Sequence, residues 1–216
     1  MRSWIAGRRP GRREAPVEPA PVLAPPAPEP DPLTTVRVST SGPAVPRSFG
    51  RREEDFAFDR VFVPSLIIDH TELVLRQAGS CSEEGFVLWA GTLAGNHAHV
   101  SSLVVPTISA GARHGEVSAD STARILTGLD ERDLVPIAQL HTHPREAFLS
   151  PTDRIRPLVA VPGFFSIVIP NFGFVDLADV TLWSAHEFGG GNKWRELDRD
   201  EQIRRFIVDD SVIRVD

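Results

Sequence analysis

Residues 139–153 read Gln-Leu-His-Thr-His-Pro-Arg-Glu-Ala-Phe-Leu-Ser-Pro-Thr-Asp, and they hold the residue types that grip a metal ion. His141 and His143 flank one residue at the end of an apolar run, 135–140. If that run is a strand, side chains i and i+2 share a side, so both imidazoles can reach one ion. Ser150-Pro151 is a helix start, with serine as cap and proline at the first helical position. Asp153 then falls in the first turn and can face back toward the histidines. Two imidazoles and a carboxylate leave a fourth position for water, the ligand set of a catalytic zinc site. Zinc lowers the pKa of such a water, but a general base is still needed to move protons. Glu83 and Glu84 sit just before a second apolar run, 86–90.

The rest of the chain offers weaker candidates. Cys81 is the only cysteine, so no internal disulfide and no cysteine-based zinc cage can form. Any metal must be held by histidine and carboxylate. His97-Ala98-His99 is a second His-x-His, but no acid follows it at a comparable distance, and it reads as a pair of surface strand histidines. His114 reads as a solvated loop residue and His186 as core or rim. Cys81 is near Glu84 in sequence, and its plainest role is a small, partly buried packing residue. Gly189–Gly191 lacks the Lys-Ser/Thr of a phosphate loop and is a linker. Arg145 and Glu146 either line a substrate cleft or face water.

The elements that must position these residues can be read from periodicity. Phe58, Val61 and Val63 suggest a first strand. From 65 to 79, Leu66, Ile67, Thr71, Val74, Leu75 and Ala78 share one helical face, and Gly79 stops it. Strands follow at 86–90 and 97–105, joined by a hairpin turn at Gly95-Asn96. A second helix spans 117–129. Strands at 135–140, 165–169 and 179–185 come next, then a loop at 189–192, a short helix at 200–207 and a final strand at 212–215. Helices and strands mixed in this order predict an α/β sandwich.

Composition bounds the remainder. Eleven of the 19 prolines precede residue 50. Residues 15–32 alternate Pro with Ala, Val and Glu and lack the side chains that offset ordering entropy, so residues 1–54 are expected to be a disordered Pro/Arg-rich tail and 55–216 the folded domain. The net charge is -6, with 23 basic and 29 acidic residues, and the surplus acid lies beyond residue 50. An acidic domain argues against nonspecific nucleic-acid binding. No apolar run reaches the ~18–20 residues that span a bilayer, and the Arg-rich start has no apolar segment behind it. The expectation is a cytoplasmic protein without membrane or nucleic-acid partners.

Taken together, these residues resemble the JAB/MPN metalloproteases, also called JAMM proteases. Their pattern is a glutamate, a long gap, His-Ser/Thr-His, usually seven residues beginning with Pro, then Ser-x-x-Asp. Here His141-Thr142-His143 is followed by six residues, 144–149, and by Ser150-Pro151-Thr152-Asp153. The family's glutamate lies seven residues before a glycine that ends the adjoining strand; counting back from Gly91 selects Glu84. Many members have glycine three residues after that glutamate, where this chain has Val87. The resemblance covers roughly residues 58–185. It implies a JAB/MPN-like (cytidine-deaminase-like) mixed sheet sandwiched by helices. It implies Zn2+ held by His141, His143 and Asp153, with Glu84 as general base and the Ser150 hydroxyl helping to bind the oxyanion.

It also implies a zinc-dependent peptidase or isopeptidase, deubiquitinase-like, cutting at the C-terminus of a bacterial ubiquitin-like protein. Ubiquitin-activating-like or ubiquitin-conjugating-like proteins from the same operon are further partners on that reading. The alternatives are a processing protease for a sulfur-carrier protein and a non-catalytic MPN scaffold. A DNA-associated relative of the RadC group is disfavoured by the acidic domain and by Thr142, where that group commonly has Asn.

Overall fold

The computed structural model describes residues 35–37, 58–106, 117–191 and 193–209. All of them belong to the unit Asp31–Asp216. Strand β1, Thr35–Arg37, lies within the expected tail and pairs antiparallel with β4; the other residues of 1–54 fall outside the described set.

Strand β2, Arg60–Pro64, alternates, with Val61 and Val63 fully buried. Pro64 ends it and caps helix α1, Ser65–Ser80. That helix buries Ile67, Ile68, Thr71, Leu75 and Gly79, the spacing of one apolar face. Thr71 is tolerated there because its hydroxyl donates to the Ile67 carbonyl (2.7 Å) and accepts from Trp89 Nε1 (2.9 Å). Strands β3, Phe86–Ala94, and β4, His97–Val104, form a hairpin that turns at Gly95-Asn96, with Gly95 at φ +62°. Helix α2, Ala119–Asp130, starts at Ser118, whose side chain accepts from Ser121 N. Then come β5, Val135–Thr142, helix α3, Pro151–Ile155, and β6, Phe165–Ile169. Strands β7, Ser184–Phe188, and β8, Trp194–Glu196, helix α4, Arg199–Arg205, and β9, Phe206–Asp209, complete the described residues.

The strands form one mixed sheet in the order β8-β7-β6-β5-β3-β4-β2-β9, with β1 on β4. Strand β5 runs antiparallel to β3 and parallel to β6, with α3 in the crossover. Side chains alternate along β3: Val87 and Trp89 join the core beneath α1, while Leu88 and Ala90 join a second core with Ile125 and Leu129 of α2. Helices therefore cover both faces, as the order of elements predicts. Among the described residues no helix is long and apolar enough to cross a membrane.

Three details differ from the sequence reading. Gly91 does not end its strand: β3 continues to Ala94, and Gly91 sits at a register shift where an added Cβ would lie 1.9 Å from the His99 carbonyl oxygen. Residues 179–185 are not one strand. The Asp179 carboxylate accepts from Thr181 N (3.0 Å) and sets a 3-10 turn, Val180–Leu182, so β7 starts only at Ser184. The helix expected at 200–207 stops at Arg205, because Phe206 turns extended to pair β9 with β2. The strand expected at 212–215 lies outside the described residues.

Candidate metal centre and catalytic cleft

The end of β5 is where the chemistry gathers. His141 is the last strand residue but one; it pairs with Phe86 of β3 and stacks on that ring (centroids 6.4 Å apart, planes at 16°). His143 lies one residue past β5. Its N–H donates to the Ile169 carbonyl (2.9 Å), and its own carbonyl accepts from Phe172 N (2.8 Å). The Phe148 ring stands edge-on against its imidazole (4.8 Å). Behind it, Asn171 and Phe172 hold left-handed dihedrals (φ 53° and 54°) in a 3-10 turn, Asn171–Gly173. Such strain in a bulky residue persists only where the surroundings impose it. Here the turn is tied to the metal-motif loop by Asn171 N to the Arg145 carbonyl and Phe172 N to that of His143.

Asp153 arrives through a capping box. Ser150 Oγ accepts from Asp153 N (3.3 Å), Ser150 N donates to Asp153 Oδ2 (2.8 Å), and Pro151 sits in the first turn. The six-residue loop before Ser150 is thus long enough to return the carboxylate to the histidines. Asp153 Oδ2 stands 3.4 Å from His141 Nε2 and 3.6 Å from His143 Nε2, and one donor atom from each residue lies within 4.8 Å of the others.

These residues fit a metal. Bonds of 2.0–2.1 Å at tetrahedral angles put ligand atoms about 3.3 Å apart, close to both donor separations. Moreover, both ring nitrogens of His141 are buried without a hydrogen-bond partner, a costly state unless another group takes the lone pair. Burial would push the Asp153 carboxyl up, but the pull of His141 and His143, then Ser150, holds it far below the usual carboxylate range. Contact with Asp153 raises His143 despite its burial, and Glu84 adds to that effect.

Glu84 leads into β3, half-buried, on the wall of a cleft of about 680 Å³ that His141 and Asp153 also line. Glu83 is exposed and is not among the lining residues. The cleft runs from His141 between α2, which contributes Thr122, Ala123 and Leu126, and the segment Arg156–Leu158. Gln139 braces that segment: its amide donates to Ser166 Oγ (3.0 Å) and its carbonyl accepts from Leu158 N (2.8 Å). Ser150 Oγ serves the cap as an acceptor, and its side chain also helps to hold the Asp153 carboxylate.

The other candidates lie elsewhere. His97 and His99 both pack on the Phe62 ring, and they belong to no three-donor group among the described residues. His114 lies outside the described residues. Cys81 is exposed at the end of α1, not partly buried as expected. His186 is buried on β7, with Nε2 2.9 Å from Ser184 Oγ. Sequence reasoning missed Phe86, Gln139 and the contribution of α2 to the cleft. Their one signal was a buried glutamine two residues before the first histidine, on the same strand face.

No family model matches the chain. It is 29% identical over 147 residues to a protein of Sinorhizobium fredii named "Probable metalloprotease y4jG"; the match covers 63% of this chain and 86% of that one. Protein DSY2949 from Desulfitobacterium hafniense shares the fold at a TM-score of 0.51 and 14% identity, covering 70% of this chain and 94% of its own. A JAB1/MPN domain protein from Archaeoglobus fulgidus superposes at a TM-score of 0.37 and 14% identity, covering 69% and 99%. With the motif complete and its residues gathered at the end of β5 on a helix-covered mixed sheet, the chain resembles the JAB/MPN (JAMM) metalloproteases, and the bacterial relative aligned along most of its length is named a probable metalloprotease.

Proposed function

We propose that this protein is a zinc-dependent peptidase or isopeptidase that cuts at the C-terminus of a bacterial ubiquitin-like protein in the cytoplasm. The observation that carries the reading is the convergence of His141, His143 and Asp153 on one point, with His141 and Asp153 lining the same cleft as Glu84. The relative's name, a probable metalloprotease, supports the hydrolytic class.

On this reading His141, His143 and Asp153 hold the ion. When bound, zinc supplies Lewis acidity toward a carbonyl and lowers the pKa of a water. The chain's own residues do the rest. The Glu84 carboxylate accepts a proton from the attacking water and returns it to the leaving amine. The Ser150 hydroxyl donates to the oxyanion of the tetrahedral intermediate. Phe86 and Leu126 give the cleft an apolar wall.

The test uses a ubiquitin-like protein fused at its C-terminus to a fluorescent reporter. Wild-type protein should contain about one zinc per chain and release the reporter. Glu84→Ala should keep the zinc and lose at least ~100-fold in kcat, within the usual contribution of a general base. His141→Ala should lose both metal and activity. Protein that carries no zinc and cleaves nothing would point to the non-catalytic scaffold, and full activity of the Glu84 variant would sink the assignment of the base.

A further inference from the structure

Thr142 separates the two histidines, yet its side chain points the other way. It is fully buried and reaches back to the segment that carries Glu84. Thr142 N donates to the Gly85 carbonyl (3.0 Å), and Gly85 N donates to Thr142 Oγ1 (2.7 Å). In an antiparallel ladder two opposed residues exchange both bonds through backbone groups. The rung beyond the Phe86–His141 pair departs from this: one of its two acceptors is a side-chain hydroxyl. The departure has a cause. Beyond Thr142 the chain follows β6, where His143 N donates to the Ile169 carbonyl. A residue at this point must bring its own acceptor if Gly85 N–H is to be satisfied.

We propose that Thr142 is a positioning residue whose hydroxyl stands in for a backbone carbonyl in that last rung and so fixes Glu84 in the cleft wall that His141 also lines. Gly85 N belongs to the peptide plane that also contains the Glu84 carbonyl carbon, and that plane is rigid. Anchoring one end of it sets the direction in which the Glu84 side chain leaves the backbone. The anchor has little room to drift, because an added Cβ on Gly85 would meet Leu75 Cδ2 at 2.9 Å. The Thr142 methyl fills the other side, 3.4 Å from where a Cβ on Gly173 would stand. Losing about an ångström of alignment at a catalytic base is enough to slow a reaction ~100-fold. The catalytic consequence rests on Glu84 being the base; the tie itself does not.

Thr142→Val keeps the shape and removes the acceptor, leaving a buried N–H unpaired. Thr142→Ser keeps the acceptor. For the full chain, Thr142→Val should lower kcat on the reporter fusion about 10- to 100-fold with KM and zinc affinity within ~3-fold of wild type. Thr142→Ser should recover kcat to within ~3-fold. Hydrogen exchange at the Gly85 amide should quicken at least ~10-fold in the valine variant, with Ile137–Leu140 unchanged. If the valine variant does not fold, judged by circular dichroism, Thr142→Ala is read against the same expectations. Unchanged Gly85 exchange overturns the proposal, as does unchanged kcat, or a kcat loss matched by an equal loss of zinc affinity. If wild-type protein cleaves nothing, the peptidase reading fails, and Gly85 exchange still decides whether Thr142 makes the tie.

Discussion

At the scale of single residues, His186 offers a clean titration. Burial lowers it from 6.5 to about 4, and its Nδ1 has no hydrogen-bond partner. The folded state keeps this ring neutral down to that pH, whereas the unfolded chain protonates it below about 6.5. Between those limits the unfolded state holds more protons, so stability is fully present above pH 6.5 and is lost as pH falls toward 4. Asp153 acts in a lower window: its depressed carboxyl contributes above its unfolded value and is lost only as pH falls below about 4. Between pH 6.5 and 4 we expect the melting temperature of metal-free wild type to drop relative to that of His186→Gln; the raised His143 acts in the opposite sense but equally in both. Parallel curves for the two proteins would refute this role. A lone histidine in the sequence carries no sign of such burial; only the register of β7 against β6 shows that the side chain faces inward.

At the scale of elements, the β3–β4 hairpin is the part most sensitive to a single atom. Both partners of β3 shift register near Ala90–Gly91, and the bulge brings the His99 backbone onto the Gly91 Cα. A methyl there meets backbone, which cannot rotate away. Gly91→Ala should therefore cost about 2–4 kcal/mol, in the range of overpacked or strained sites, measured by urea unfolding. A loss below ~0.5 kcal/mol would show that the hairpin opens freely. Helix α1 and the turn at Gly95-Asn96 were legible from local pattern, because their causes lie within a few residues. The 3-10 turn at Val180–Leu182 was not, since one Asp179 side chain overrode an alternating apolar pattern. The three-residue β8 was too short to leave a period and exists because it pairs with β7.

At the scale of the whole molecule, the proposed ion joins β5 to the start of α3, two elements that otherwise meet through a loop. Binding only the folded state, it should stabilise the protein by RT ln(1 + [L]/Kd), about 2.7 kcal/mol at a hundredfold excess over Kd. Adding zinc to metal-free wild type should raise the melting temperature, and a chelator should reverse the shift. His143→Ala should show no shift. A wild-type melting temperature indifferent to zinc would count against a resident metal.

The sequence by itself determined the donor types and the local geometry of the centre. Strand alternation aims His141 and His143 to one side, and Ser150-Pro151 starts a helix that carries Asp153 in its first turn, because both rules act over two or three residues. Tertiary structure decided what those rules cannot reach. Only the pairing of β3 with β5 brings Glu84, and not Glu83, into the wall of the cleft, and only there does Thr142 meet Gly85, 57 residues away in the chain. Such contacts depend on which strands become neighbours, and that follows from burying both faces of the sheet at once.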